Sequence, residues 1–273
     1  MKSILKNLLL LGFLLFQSNA SQSFLEENQA RIFDHSQYNS LLGQFVVDGK
    51  VRYKDLVQSG SELLDSYLTR IARAKNLSSL PRDEQLALYI NAYNAYNLKA
   101  VVDHYPINGW NPLYPRNSIR QIPGVWKKWQ IEVGRRKMSL DDLEHKIIRK
   151  FNDPRIHFAV NCASIGCPDL ASYAYTGAKL QQQLEQRVLL VLTQPGKYHF
   201  CNQCDAISLC KILEWFPADF HSFARKETRK FGKYAGVIGF LINYLPGDLK
   251  ARLISEKIRV KFLEYDWSLN EAP

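Results

Sequence analysis

Beyond its first twenty positions, the 273-residue sequence has no stretch approaching 18 uninterrupted apolar residues, so the rest of the chain offers no membrane-crossing helix. It shows no internal repeat, no low-complexity tract and nothing resembling an interdomain linker, which argues against a solenoid or a string of separate domains. Basic residues exceed acidic ones, 36 to 26, but they are dispersed. The densest run, Arg225 to Lys230 with Lys233 just beyond, contains Glu227 and reads as a solvated helix face, so nucleic acid is not an expected partner. The net charge of +10 fits solubility or attraction to anionic envelope surfaces. Cysteine is scarce, and five residues leave at least one without a partner inside a single chain.

Residues 1–20 are set apart from the fold. Lys2 and Lys6 precede the apolar run Leu8 to Phe16, and the small residues Ser18 and Ala20 fit a signal-peptidase site. The run is short for a membrane span, and no cysteine follows it to carry a lipid anchor. Cleavage would lower the net charge to +8, because Lys2 and Lys6 leave and no acid leaves with them. The expectation is a periplasmic or secreted protein with no transmembrane segment after cleavage. A helical N-terminal cap over residues 21–80 and a core over 81–273 complete the organisation. Within the cap, Val46-Val47-Asp48-Gly49-Lys50-Val51 pairs β-favouring residues about an Asp-Gly turn, and Ser61 to Lys75 reads as a helix.

The chain is organised around Asp153-Pro154-Arg155-Ile156-His157-Phe158-Ala159-Val160-Asn161-Cys162-Ala163-Ser164-Ile165-Gly166-Cys167-Pro168. Ile156 to Val160 are β-favouring and bounded by turn signals, which predicts a short buried strand. Continued to Cys162, such a strand puts His157 and Asn161 on one face and Cys162 on the other. Pairing His157 with Cys162 then requires a bulge or an early turn.

Upstream, Arg82 to His104 reads as a helix buried nearly all round, with Asn91, Asn94 and Asn97 as amides in apolar surroundings. Each needs partners, since an unsatisfied buried amide costs about 1 to 3 kcal/mol. They either tie loops to the core or orient a site and bind substrate. Gly109 to Gly124 reads as a long surface loop and a possible site rim. Ile131 to Met138 reads as a hairpin leading to Ser139, which caps a helix with Asp142 at the capping-box position. On that helix Glu144 projects between Leu140 and Ile148, on the core side. A carboxylate there needs a partner, either Arg155 or an imidazole such as His157 or His145.

Four motifs in order, Tyr89-Ile90-Asn91-Ala92-Tyr93-Asn94, Ser139-Leu140-Asp141-Asp142-Leu143-Glu144-His145, the Asp153 to Pro168 stretch and Tyr265-Asp266-Trp267-Ser268-Leu269-Asn270, resemble the domain-of-unknown-function family 547 over roughly residues 80 to 270. The resemblance supports the fold boundaries and the choice of site. It implies no reaction, and it includes the helix break Trp215-Phe216-Pro217-Ala218-Asp219-Phe220. Cys201, Cys204 and Cys210 stand outside what the resemblance leads one to expect. A disulfide at that hairpin is the simpler reading; a zinc site would need His199 to complete the set.

Alternating short strands and long helices predict a single mixed α/β (α+β) domain with a small, largely antiparallel sheet flanked by many helices, in a papain- or transglutaminase-like arrangement. Two functions follow. In the first, Cys162 is a nucleophile with His157 or His145 as base, Glu144 or Asn161 orienting it, and loop N–H groups near Ser164 to Gly166 stabilising an oxyanion. Asn91, Asn94, Arg155 and Ser164 then bind a peptide or amide of the cell envelope. In the second, Cys162 and Cys167 form a disulfide that pins the loop of a non-catalytic binding or structural protein. Their spacing is not the C-x-x-C of thiol-disulfide exchange. No cofactor and no metal ligand set is expected.

Overall fold

The computed structural model describes residues 32–201 and 203–273. The expected signal segment, and the part of the expected cap before residue 32, lie outside the described residues.

Asp48 and Gly49 take left-handed φ angles of 47° and 76°, as a two-residue hairpin turn of this kind requires, and they join strands β1 (Val46–Val47) and β2 (Lys50–Val51). Helices α1 (Ser36–Phe45), α2 (Tyr53–Ser59) and α3 (Ser61–Arg73) surround that hairpin. Leu64, Tyr67, Leu68 and Ile71 recur at helical spacing, so α3 presents one apolar face to the long helix α4 (Arg82–Val102). From Leu86 onward, only Tyr89 and Lys99 of α4 reach partial exposure. The helix begins directly after Pro81, with Asp83 and Glu84 in its first turn, where negative charge suits the helix dipole.

Strands β3 (Gln130–Val133) and β4 (Arg136–Ser139) form the expected hairpin. Ser139 then caps the next helix: its Oγ accepts from Asp142 N at 3.0 Å, and Asp142 Oδ2 accepts from Ser139 N at 3.1 Å. That helix does not stay α-helical. It widens to a π-turn over Leu143–Ile147 and tightens to 3₁₀ over Ile148–Phe151. Glu144, within the π-turn, is half-buried against Tyr93 of α4, and its partner there is the Tyr93 hydroxyl rather than Arg155 or a histidine.

The strand expected at Ile156 to Val160 is a 3₁₀ helix, Pro154–Phe158. Asp153 Oδ1 accepts from Arg155 N at 3.0 Å and Pro154 occupies the first helical position, so the Asp-Pro pair starts a helix here instead of bounding a strand. The two-faced placement of His157 and Cys162 disappears with the strand.

Helix α5 (Leu180–Leu192) joins two apolar clusters: Leu180 and Leu184 pack with α1 to α4, while Val188 and Val191 pack with the C-terminal third. Burying each such side chain contributes about 1.5–3 kcal/mol relative to exposure, which makes α5 the main apolar seam of one mixed α+β domain. Strands β5 (Tyr198–Cys201), β6 (Ala206–Leu209) and β7 (Arg259–Phe262) make a three-stranded sheet in that order, antiparallel then parallel. Among the described residues the strands thus form three small sheets rather than one. The chain end returns to the first half: Leu269 bridges Ser164, Glu271 bridges Val51, and Asn270 Oδ1 accepts from the Tyr53 hydroxyl at 2.8 Å.

Candidate functional site

The Cys162 to Cys167 loop is fixed from three sides. Asn94 of α4 spans it: Nδ2 donates to Ala159 O at 3.0 Å and Oδ1 accepts from Asn161 N at 2.8 Å. Asn161 folds the turn itself, accepting from Ala163 N at 2.8 Å and donating to Pro168 O at 2.8 Å, which holds Ala163 at a left-handed φ of 58°. Behind the loop, Lys197 is buried and donates to Ile165 O and Cys167 O. Burial lowers its pKa, with Asp169 opposing that shift.

Cys162 and Cys167 are joined by a disulfide, their Cα atoms 6.3 Å apart. The Tyr265 hydroxyl lies 2.9 Å from Cys162 Sγ, 3.0 Å from Cys167 Sγ and 2.7 Å from Ser164 Oγ. Burial raises the Tyr265 pKa well above its ordinary value, so this hydroxyl stays protonated and can donate to sulfur. Its ring lies over Gly166, where an added Cβ would come within 2.8 Å, so the close approach requires glycine.

The loop N–H groups expected to stabilise an oxyanion are engaged elsewhere. Ile165 N donates to Ser268 O at 2.9 Å and Gly166 N to Asp266 O at 2.8 Å. Cys162 N points to Cys167 Sγ at 3.1 Å. Cys162 also lies in irregular chain rather than at the start of a helix.

The two sulfurs form part of the wall of a cavity of about 720 Å³. Glu144, His145 and His157 line the same cavity. None of the three is hydrogen-bonded to Cys162. Glu144 Oε2 accepts from the Tyr93 hydroxyl at 2.7 Å. His157 is buried, stacked on Phe216 at 4.6 Å, and its Nε2 donates to Asp219 Oδ2 at 2.8 Å. His145 Nδ1 lies 3.1 Å from Arg149 Nη1; a guanidinium only donates, so Nδ1 accepts and Nε2 faces Asp141 at 3.4 Å. Arg149 and Asp219 complete this network through two hydrogen bonds of 2.7 Å.

Among the remaining expected site residues, Asn91 is fully buried, with both amide atoms committed to Tyr175 at 2.7 and 2.9 Å. Arg155 pairs with Asp153 at 2.7 Å and approaches Glu185 at 3.5 Å, away from the cavity lining. Ser164 is buried against Tyr265 and meets Cys162 Sγ at 3.2 Å. At the second hairpin, Cys201 and Cys204 are bridged, Cα atoms 5.5 Å apart, and Cys210 is free and buried, its pKa pushed up to about 11 by burial. Among the described residues, no group of three His, Cys, Asp or Glu is placed to hold a metal ion.

Several residues in and around the cavity escaped sequence reasoning. Tyr265 and Trp267 belong to a motif quoted above, but neither was singled out as a site residue. Arg120 and Tyr114 fall in the stretch read as a surface loop and site rim, where neither was singled out, and Asp219 meets Arg149 across 70 residues, a distance no local pattern encodes. The available signal was the density of aromatics: Trp126, Trp215, Phe216 and Trp267 all line the cavity.

Residues 77–189 match the family model described as Protein of unknown function, DUF547. The matched region contains α4, the Glu144 helix, the Cys162–Cys167 loop and most of α5; Asp219, Tyr265 and Trp267 lie outside it. No curated protein and no solved structure matches the chain. Among the described residues, no helix is long and apolar enough to cross a membrane.

Proposed function

We propose that this chain, whose residues 77–189 belong to the DUF547 family, is a non-catalytic ligand-binding protein whose Cys162–Cys167 disulfide pins one wall of an aromatic cleft. The bridge carries the reading, because a nucleophilic cysteine must be a thiolate and a bridged sulfur is not one. The engaged N–H groups of Ile165 and Gly166, and the commitment of His157 to Asp219, support it further. Two bridges in one chain also favour an oxidising compartment, consistent with export to the periplasm or beyond. The ligand is then a peptide or another envelope component.

A second reading, a cysteine-dependent hydrolase or acyltransferase active in the reduced form, draws on one observation: Cys162, Glu144, His145 and His157 line a single cavity. Alkylation of the native protein followed by peptide mass spectrometry separates the two. The expected result is a linked Cys162–Cys167 peptide with neither residue alkylated. A free, rapidly alkylated Cys162 whose reactivity falls in His157→Ala or His145→Ala would overturn the binding reading in favour of the enzyme.

A further inference from the structure

We infer that the cleft selects an organic anion, a carboxylate or phosphate carried next to a flat ring, and that Arg120 is the residue that receives it. This rests on the binding reading above and specifies the class of ligand.

Arg120 lies within the short 3₁₀ turn Ile119–Gln121, capped by Ser118, whose side chain accepts from Arg120 N at 3.2 Å, so the backbone beneath it is fixed. Its guanidinium lies 4.4 Å from the ring centre of Tyr114, 4.9 Å from that of Trp267 and 5.5 Å from that of Trp126. Trp267 in turn stands 6.1 Å from Trp126 and 6.2 Å from Tyr114, so the rings form a partial cage about the cation. Ring faces attract a cation, but they leave its charge unneutralised. The hydrogen-bond partner of the guanidinium is the Tyr114 hydroxyl, a neutral group. Among the described residues, no carboxylate pairs with Arg120, whereas Arg149, Arg155 and Arg252 each hold one.

Arg120 therefore brings a half-buried, uncompensated positive charge into the cavity. Lys127 and Lys128 line the same cavity and add to the positive potential. The acids of the cavity, Asp141 and Glu144, are already turned to His145 and Tyr93. A guanidinium donates in a fork that matches carboxylate and phosphate oxygens. The neighbouring faces of Trp215 and Trp267, stacked at 6.0 Å, supply an apolar platform for the ring portion of the ligand.

The test uses matched probes on the full chain: 3-phenylpropionate against its neutral amide, with phenyl phosphate as a third arm, by calorimetry and by the indole N–H signals in NMR. We expect the acid to bind at least ~10-fold more tightly than the amide. In Arg120→Gln the two should bind alike. A higher affinity for phenyl phosphate than for the acid would assign the anion as phosphate, and the reverse as carboxylate. In case Arg120→Gln does not fold, salt gives the same information without a variant: raising NaCl from about 20 mM to about 500 mM should weaken the acid and leave the amide unchanged. Equal binding of acid and amide in the wild type would overturn anion selection and leave the cleft reading standing. If no probe shifts any indole signal, the cleft reading falls as well.

Discussion

Asn94→Ala should lower the unfolding free energy by about 2–4 kcal/mol, read as a shift of the urea midpoint at constant slope. The side chain is 2% exposed and satisfies two backbone groups at once, Ala159 O and Asn161 N. Truncation leaves both buried without partners, each costing about 1–3 kcal/mol, and opens a small void in addition. Asn97→Ala is the internal control. Its Nδ2 donates to Tyr93 O, which also belongs to its own helix, and its Oδ1 takes a longer bond of 3.3 Å from Trp126 Nε1. Its loss should cost about half as much. An Asn94→Ala midpoint equal to wild type would show that the cysteine loop does not depend on this clamp.

The clamp also marks how far the sequence could be read. That Asn91, Asn94 and Asn97 are buried and must be bonded follows from their place on a helix apolar on every side, and the structure has them so. Their partners are 65 to 84 residues away for Asn94 and Asn91, and helical period says nothing about such distances. Local punctuation was legible in the same way. Asp48-Gly49, the Ser139–Asp142 capping box and Pro81 each fix a boundary by a bond or an angle within a few residues.

The misreadings have equally local causes. Ile156, Phe158 and Val160 carry β propensity, but propensity amounts to less than a cap and a proline together, and Asp153-Pro154 supplies both. Glu144 turns to the core helix as its projection implied, but its partner, Tyr93, stands 51 residues away, a distance no local pattern encodes. Cys162, His145 and His157 do line one cavity, and the stretch read as a site rim contributes Arg120 to it, but nothing local singled that arginine out. Arg120 sits in a single 3₁₀ turn too short to show a periodic pattern, and its cage is assembled from Trp126 and from Trp267 near the chain end.

Asp219→Asn should destabilise the protein by about 2–3 kcal/mol at neutral pH, with the difference from wild type shrinking as the pH falls below about 4. Burial alone would raise the Asp219 pKa, but hydrogen bonds from Arg149 and His157 overcome it and hold the carboxyl far below the ordinary range. A carboxyl depressed in the folded state binds its proton more readily when unfolded, where its pKa is about 3.9. Its contribution is therefore complete above that value and is lost as the pH drops toward the folded pKa. The side chains of Asp219 and Arg149 are 21% and 26% exposed, so water screens part of the attraction and the upper limits quoted for fully buried pairs do not apply. Thermal melts of wild type and variant from neutral pH down to about 2.5 make the comparison. Converging curves on the acid side are expected, because protonation removes in the wild type what the substitution has already removed. Curves that stay parallel throughout would mean that the Asp219 charge contributes nothing to linking the 3₁₀ segment at Pro217–Phe223 with Arg149 and His157.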